Sequence, residues 1–264
     1  MKLKSLKPNV TTLGVATAFI FAAGYSTTQA AGLGGRVQVA GKPVPGANVT
    51  LYAAGTGAPA KLAETKTDNQ GAFKLNARQA SKEGVLYVVA KGPKEEVALL
   101  SVLSATPPAT ITVNELTTVA SAFTAARFIT GEAISGHPLG LKIAAGNAPN
   151  LVDPATGKWG KVLLDPLNST QTTTLSNLDT LGSLISACAT SADDAWRTRF
   201  FKAATPTGGG TPKNTLEAIA SIAREPWNNA AELFDLFNQA YPEPAPGARR
   251  RSCRICFGLR LTSP

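Results

Sequence analysis

The sequence of 264 residues is poor in the side chains that carry most enzyme chemistry. It contains one histidine, His137, three cysteines and 6% aromatic residues. One imidazole cannot supply the two or three histidines that catalytic zinc sites usually use. A Ser-His-Asp triad would have to use His137, and no Gly-x-Ser-x-Gly turn occurs in the sequence. We therefore predict a protein that is not an enzyme, with no metal and no cofactor, in which His137 is a turn residue beside Gly136 and Pro138.

The three cysteines lack the number and spacing of a disulfide framework. Cys188 stands alone, and Cys253 and Cys256 form a Cys-x-x-Cys pair in an arginine-rich stretch. A redox or zinc role for such a pair needs a βαβ context or a second ligand pair, and the sequence offers neither. We interpret the Cys-x-x-Cys spacing as a chance occurrence.

The formal net charge of +9 is concentrated at the two ends of the chain. Residues 1–30 hold three lysines and residues 249–264 hold five arginines, both without an acid, which leaves +1 for residues 31–248. A nearly neutral body lacks the positive surface that a phosphate backbone requires. We therefore expect no binding to nucleic acid.

Carboxylates are the remaining candidates for acid-base chemistry, but their spacing does not select a pair. The candidates are Asp153, Asp165, Asp179, Asp193 and Asp194. The last two lie at a predicted helix start, where the helix dipole accounts for acidic residues. Residues 208–213, Gly-Gly-Gly-Thr-Pro-Lys, lack the ending and the preceding strand of a phosphate loop and are interpreted as a flexible linker. No catalytic, cofactor-binding or metal-binding residue is therefore assigned.

Residues 1–30 have the order of a secretory signal peptide. Three lysines precede an apolar run over residues 10–24, and small residues follow up to Ala30. The run contains threonine and glycine and is shorter than the about 18 residues of a membrane span. We expect cleavage after Ala30 and a mature protein in the periplasm or outside the cell, with no stable membrane span.

From residue 34 to 113, apolar and polar side chains alternate as they do in β-strands. The turn Thr-Asp-Asn-Gln-Gly at 67–71 joins two strands, because Asp68 can bond the backbone of the turn and Gly71 tolerates a positive φ. About seven strands result, enough for a β-sandwich of two sheets over residues 31–113. We expect this stretch to fold without the rest of the chain.

At Asn114, a predicted N-cap, the apolar spacing becomes helical. The pair Thr211-Pro212 is interpreted as another helix start. Residues 147–174 are irregular, so that Trp159 is either presented by a functional loop or packed beneath a wrapping segment, which we favour. Beyond the helix that follows Asn114, helices are predicted over 139–147, 175–189, 193–204, 215–224 and 230–240. The predicted fold class is a β-sandwich followed by a mainly α-helical region over residues 114–244.

Several of these segments resemble known families. Gly-Arg-Val at 35–37, Gly-Lys-Pro-Val-Pro-Gly-Ala-Asn-Val at 41–49 and Thr-Asp-Asn-Gln-Gly-Ala-Phe at 67–73 resemble the signature of the carboxypeptidase regulatory-like domain, a transthyretin-like (prealbumin-like) β-sandwich. Residues 114–121, 140–147 and 215–227 resemble a family of exported bacterial proteins in which this region follows such a domain and precedes an NHL-type β-propeller. The resemblance covers most of residues 34–244.

The resemblance implies an accessory role, since the sandwich of metallocarboxypeptidases carries no catalytic residue. It also implies a fold that overlaps with starch-binding-like modules. Sugar sites generally use exposed aromatic rings, and the strand tyrosines here are Tyr52 and Tyr87, which can equally be half-buried sheet residues. Where the relatives carry a second cysteine about eight positions after Cys188, this chain has Trp196, so the resemblance carries no disulfide over to Cys188.

The leading interpretation is an exported, non-catalytic structural or binding module whose partner is a protein or a glycan. The alternative is the N-terminal part of a larger propeller protein whose ligand-binding, hydrolytic or lyase domain is missing. Residues 245–264 are interpreted as a disordered basic tail. We interpret the stretch after Ala248 as a frameshift product, because its codons can be written so that the neighbouring frame resembles the proline-rich approach to the propeller.

The signal peptide prediction has a direct test. The mature protein should begin at Ala31, and the intact mass of exported material should correspond to residues 31–264. A soluble cytoplasmic product that retains Met1 would contradict it.

Overall fold

The computed structural model describes residues 32–76 and 84–242. The predicted signal peptide and basic tail lie outside these residues. The first part of the described chain consists of eight β-strands. They are β1 (Gly32–Val39), β2 (Lys42–Pro43), β3 (Asn48–Ala54), β4 (Ala60–Lys66), β5 (Ala72–Asn76), β6 (Val85–Lys91), β7 (Ala98–Val102) and β8 (Thr110–Val113).

Helices predominate after β8, with two short antiparallel ribbons between them. The ribbons pair β9 (Ile129–Thr130) with β10 (Ala133–Ile134), and β11 (Val152–Asp153) with β12 (Lys158–Trp159). A 3-10 turn, Ala126–Phe128, follows the first helix. The helices are α1 (Glu115–Ala125), α2 (Pro138–Leu151), α3 (Lys161–Leu164), α4 (Pro166–Ser169), α5 (Thr174–Thr190), α6 (Asp194–Ala203), α7 (Thr215–Arg224) and α8 (Ala230–Ala240).

The helix predictions are confirmed, with three differences. The helix predicted over 139–147 continues to Leu151. The N-cap of α7 is Asn214, whose side chain accepts from the N–H of Glu217, so the assignment of a helix start to Thr211-Pro212 is wrong. Helices α3 and α4 were not predicted, because four residues are too few to establish a helical period.

The eight strands form two four-stranded sheets. In sheet 1, β1 pairs antiparallel with β2 and β5 and parallel with β8. In sheet 2 the order is β4-β3-β6-β7, with every pair antiparallel. The described chain is therefore a largely antiparallel β structure followed by helices.

The turn at 67–71 forms as its sequence predicts. The Oδ1 atom of Asp68 accepts from the N–H groups of Gln70 and Ala72, both at 2.8 Å, and Gly71 has a φ of +70°. Phe73 then enters the core with 5% of its surface exposed. Its ring packs against Gly35 of β1, where a Cβ atom would lie 2.7 Å from Cζ of Phe73. The glycine at position 35 is therefore required for the approach of the ring.

The two sheets differ in how their strands are buried. In β1 of sheet 1, Leu33, Val37 and Val39 are buried, while Arg36 on the opposite face is exposed. In β7 of sheet 2 every residue is buried. Helices α1 and α7 contact β7, and α2 contacts β6. Strands β6 and β7 of sheet 2 are therefore covered by helices, whereas sheet 1 keeps a face toward solvent.

Three hydroxyl groups from the helices bind the outer edge of β7, and we call Thr118, Ser121 and Thr215 the hydroxyl row. The N–H groups of Ala98, Leu100 and Val102 donate to Thr215 at 3.1 Å, Thr118 at 2.9 Å and Ser121 at 2.9 Å, respectively. The hydroxyl of Thr215 also donates to the carbonyl of Ala98 at 2.6 Å. Buried backbone groups that lack a partner are costly, so the helices complete the hydrogen bonding of this edge strand.

The hydroxyl row bears on the expectation that residues 34–113 fold alone. Without the helices, the β7 edge loses these hydrogen bonds and its buried apolar side chains lose their cover. An exposed apolar edge strand is a site of aggregation. The turn chemistry that favoured independent folding is correct, but the contacts of β7 argue that the helices are needed.

We predict that Thr215→Val destabilises the protein although the two side chains have the same shape. The substitution leaves the N–H and the C=O of Ala98 without partners, at a cost of about 1 to 3 kcal/mol for each buried group. Chemical denaturation should show a lower free energy of unfolding. Thr215→Ser, which keeps the hydroxyl, is the control; a serine variant less stable than the valine variant would refute the role of the hydroxyl.

Candidate functional site

The structure places His137 at the start of α2. Its Nδ1 atom accepts from the N–H of Leu139 at 3.3 Å, and the side chain is exposed. The imidazole therefore caps a helix, in agreement with the interpretation of His137 as a turn residue.

The five candidate aspartates are dispersed, and each engages local groups. Asp193 caps α6 by accepting from the N–H of Ala195 at 2.9 Å, which confirms the capping interpretation. Its neighbour Asp194 pairs with Arg197. Asp165 caps α4, Asp153 accepts from Ala155 N–H and the Thr156 hydroxyl, and Asp179 accepts from Trp159. Each of these aspartates therefore has a partner within the fold.

Trp159 is packed rather than presented by a loop. Its ring is half-buried against the core, and Nε1 donates to Oδ1 of Asp179 at 3.2 Å. The packing interpretation of the irregular segment is therefore confirmed.

The two strand tyrosines form a buried stack rather than a sugar platform. The ring centroids of Tyr52 and Tyr87 lie 5.2 Å apart. Tyr87 is fully buried, and its hydroxyl accepts from the N–H of Ile134 at 3.1 Å. Burial raises the pKa of Tyr87 to about 12. Tyr52 is half-buried beside it, with one face of its ring against Tyr87.

Cys188 and the glycine-rich loop over residues 208–213 also have structural roles. Cys188 is a buried free thiol, and burial raises its pKa to about 12, which makes a reactive thiolate unfavourable. Residues 208–213 form the loop before α7, where the N–H of Lys213 donates to Oε2 of Glu217 at 2.9 Å. That loop amide therefore binds a carboxylate of the chain itself.

Residues 32–76 and 84–242 contain no metal-binding cluster and no membrane-spanning helix. Within these ranges, no group of three or more His, Cys, Asp or Glu side chains is placed to hold a metal ion. No helix in the same ranges combines the length and apolar character of a membrane span.

Sequence reasoning missed Glu115, the first residue of α1. Acidic residues in the first turn of a helix are common, so the sequence gave no sign that this carboxyl is buried. The close approach of α1 to α5 buries it. At Gly182 of α5, a Cβ atom would lie 2.8 Å from Cδ2 of Leu116 and 3.8 Å from Cγ of Glu115.

The environment of Glu115 favours the neutral carboxyl. Only 7% of the residue is exposed, and Oε2 has no hydrogen-bond partner in the described chain. Burial raises the pKa of Glu115, and the nearby carboxylate of Asp179 raises it further. Hydrogen bonds from the N–H of Glu115 itself, the Ser186 hydroxyl and the Ala40 N–H oppose this shift.

The most unusual surface of the described chain is apolar and lies on three successive helices. We call it the α2–α4 surface. Its side chains are between 49% and 71% exposed and comprise Leu139, Ile143, Val162, Leu164 and Leu167. Leu139 and Ile143 are one turn apart on α2, on the side opposite the buried Leu141 and Ala144.

Helices α2 and α3 are connected by the β11–β12 ribbon, which returns the chain to the end of α2. Gly160 precedes α3 and lies so close to α2 that a Cβ atom would be 2.8 Å from the carbonyl oxygen of Pro149. Lysines 142 and 161 stand beside the apolar side chains, and neither has an ion pair with a described residue. The polar rim of the surface therefore holds Lys142 and Lys161 together with Asp165, whose carboxylate accepts from the N–H of Leu167.

None of the family models, curated proteins and solved structures compared with this chain matches it. The resemblances described above therefore stay predictions, and the function has to be argued from the surfaces of the molecule.

We predict that Glu115→Gln makes the stability of the protein less dependent on pH. Because the folded pKa of Glu115 is raised above the unfolded value, its contribution is fully present below the unfolded pKa and is lost as the pH rises through the folded pKa. Thermal unfolding between pH 4 and pH 8 should therefore show a smaller loss of stability with rising pH in the variant.

The matched control is Glu64→Gln on exposed β4. The pKa of Glu64 is lowered by its hydrogen bond with Lys61, so removing this carboxylate should act in the opposite direction. An unchanged pH dependence in Glu115→Gln would show that the carboxyl is not strained by burial.

Proposed function

We propose that this chain is an exported, non-catalytic binding module. In this proposal sheets 1 and 2 form a β-sandwich of the carboxypeptidase regulatory-like type, and the helical region binds another polypeptide through the α2–α4 surface. The signal peptide pattern supports export to the periplasm or the exterior. The single histidine and the local roles of the candidate aspartates support a role other than catalysis.

The sandwich assignment is supported by the core and by the turns. Val37 of β1 and Phe73 of β5 belong to the same buried cluster as Val49 of β3 and Val88 of β6, so the two sheets share a core. The glycine at position 35 and the turn at 67–71 coincide with the residues that carry the resemblance.

The α2–α4 surface is the observation that carries the binding proposal. Five large apolar side chains are exposed on the helices α2 to α4, and exposed apolar surface commonly marks interaction sites. The side chains of α2 are held on a 14-residue helix whose opposite side is buried. The surface is therefore preorganised, which lowers the entropy cost of binding.

The two lysines of the rim indicate the chemistry of the partner, because the carboxylate of Asp165 already caps α4. A second copy of the chain would bring Lys142 and Lys161 toward a surface of the same sign. A polypeptide with apolar side chains flanked by carboxylates would instead complement both the apolar centre and the rim. We therefore assign the surface to an acidic, apolar polypeptide segment of another protein.

We predict that an amphipathic peptide with leucines at helical spacing and flanking glutamates binds the protein, and that Leu139→Lys/Ile143→Lys weakens binding at least about tenfold, equivalent to 1.4 kcal/mol. The side chains of Leu139 and Ile143 are both more than half exposed, so the variant should fold. Fluorescence anisotropy of the labelled peptide measures the affinity.

A peptide with lysines in place of the glutamates tests the role of the rim and should bind more weakly. Phe234→Lys on α8 is the matched control, because Phe234 is another large apolar side chain, 57% exposed, outside the α2–α4 surface. Equal loss in this control, or equal affinity for both peptides, would refute the assignment. A wild-type dimer that the double substitution dissociates would identify a second copy as the occupant instead.

A further inference from the structure

The outward face of sheet 1 carries positive charge without compensation. The four strands of the sheet contain Arg36, Lys42 and Lys74 and no aspartate or glutamate. Sheet 2 has acidic partners for two of its lysines, since Lys61 pairs with Glu64 and Lys91 pairs with Glu132, while Lys66 has no ion pair with a described residue.

The register places two of these charges together. On β1, Arg36 lies opposite Ala72 of β5, and Gly34 lies opposite Lys74. Arg36 and Lys74 are therefore diagonal neighbours on the same face, with their Cα atoms roughly 7 to 8 Å apart. Neither side chain has a hydrogen bond or an ion pair with a described residue, so their mutual repulsion is not offset within the described chain.

A groove of about 410 Å³ runs beside Arg36. Its lining is polar and consists of Gly35, Arg36 and Gln38 of β1, Thr110, Ile111 and Thr112 of β8, and Ala155 and Thr156 at the tip of the β11–β12 ribbon. A volume of this size lies in the range of small-ligand sites, about 300 to 1,000 Å³.

The far wall of the groove is held in place by hydrogen bonds. The N–H of Thr112 donates to the carbonyl of Pro154 at 2.8 Å, and the Thr112 hydroxyl donates to the carbonyl of Ala155 at 3.0 Å. The nearest acid of this wall, Asp153, accepts hydrogen bonds within its own turn. The edge of β8 is thereby occupied at Thr112, which disfavours an extended peptide added as a further strand.

The free groups in the groove define the ligand. Arg36 presents a guanidinium, which binds carboxylates in bidentate geometry. Gln38 and Thr110 add an amide and a hydroxyl whose side chains make no hydrogen bond with described residues, and these suit the hydroxyl groups of a sugar. No aromatic side chain lines the groove, so stacking of a neutral sugar ring has no platform here.

We propose that the groove beside Arg36 binds a segment of an acidic polysaccharide, with a uronate carboxylate at Arg36 and sugar hydroxyls at Gln38 and Thr110. Lys74 adds attraction for a neighbouring carboxylate. This site lies on sheet 1 and is separate from the α2–α4 surface. The proposal therefore does not depend on the proposed polypeptide partner.

The test compares binding of the full chain to polygalacturonate and to its methyl ester, which has the same backbone without the charge. Biolayer interferometry should detect polygalacturonate binding that falls at least tenfold in Arg36→Glu. Lys66→Glu on β4 is the matched control, since it makes the same change of charge at an exposed strand residue of sheet 2. The five arginines after Ala248 attract any polyanion, so the difference between the two variants is the measure.

Each outcome decides the proposal. Loss in Arg36→Glu with little change in Lys66→Glu supports it. Equal loss in both variants shows unspecific attraction, equal binding of the methyl ester shows that the carboxylate is not recognised, and equal binding of polyglutamate shows that the sugar is not; any of these overturns it. Absence of binding to polygalacturonate overturns it as well.

Discussion

The outer edge of β7 joins the strands to the helices, and much of the remaining structure depends on that edge. An edge strand presents backbone donors and acceptors that need partners once they are buried. Here the partners are side-chain hydroxyls of α1 and α7, so the positions of these two helices are fixed relative to sheet 2. Thr215 contributes most, since one hydroxyl accepts from and donates to the same residue, Ala98.

The position of α1 also determines its contacts with α5 and with the β11–β12 ribbon. Fixed against β7, α1 also packs against α5 at Gly182, and that contact encloses the carboxyl of Glu115. The N-cap Asn114 holds the β11–β12 ribbon through a hydrogen bond from Nδ2 to the carbonyl of Gly157 at 2.9 Å. One helix therefore positions the strand edge, a buried acid and the ribbon that forms a wall of the sheet 1 groove.

Local chemistry in the sequence was sufficient to predict most of the longer elements. The turn at 67–71, the caps at Asn114 and Asp193 and the helices α5 to α8 each depend on residues within a few positions of one another. Features created by distant segments were not predictable. Three such features are the burial of β7 on both faces, the burial of Glu115 and the exposure of the α2–α4 surface. They result from packing between elements separated by tens of residues, and the local sequence pattern does not indicate this packing.

The same packing explains where binding is possible. Helices cover β6 and β7 of sheet 2, and its lysines 61 and 91 pair with glutamates, while Lys66 has no ion pair with a described residue. Among the described residues, the β11–β12 ribbon reaches the outer face of sheet 1 at the edge of β8, where it binds Thr112. This face is also the one on which Arg36 and Lys74 lack acidic partners among the described residues. Within the described chain, the outer face of sheet 1 thus has little cover and no ion pair for Arg36 or Lys74, which is the arrangement expected when an external anion supplies the missing interactions.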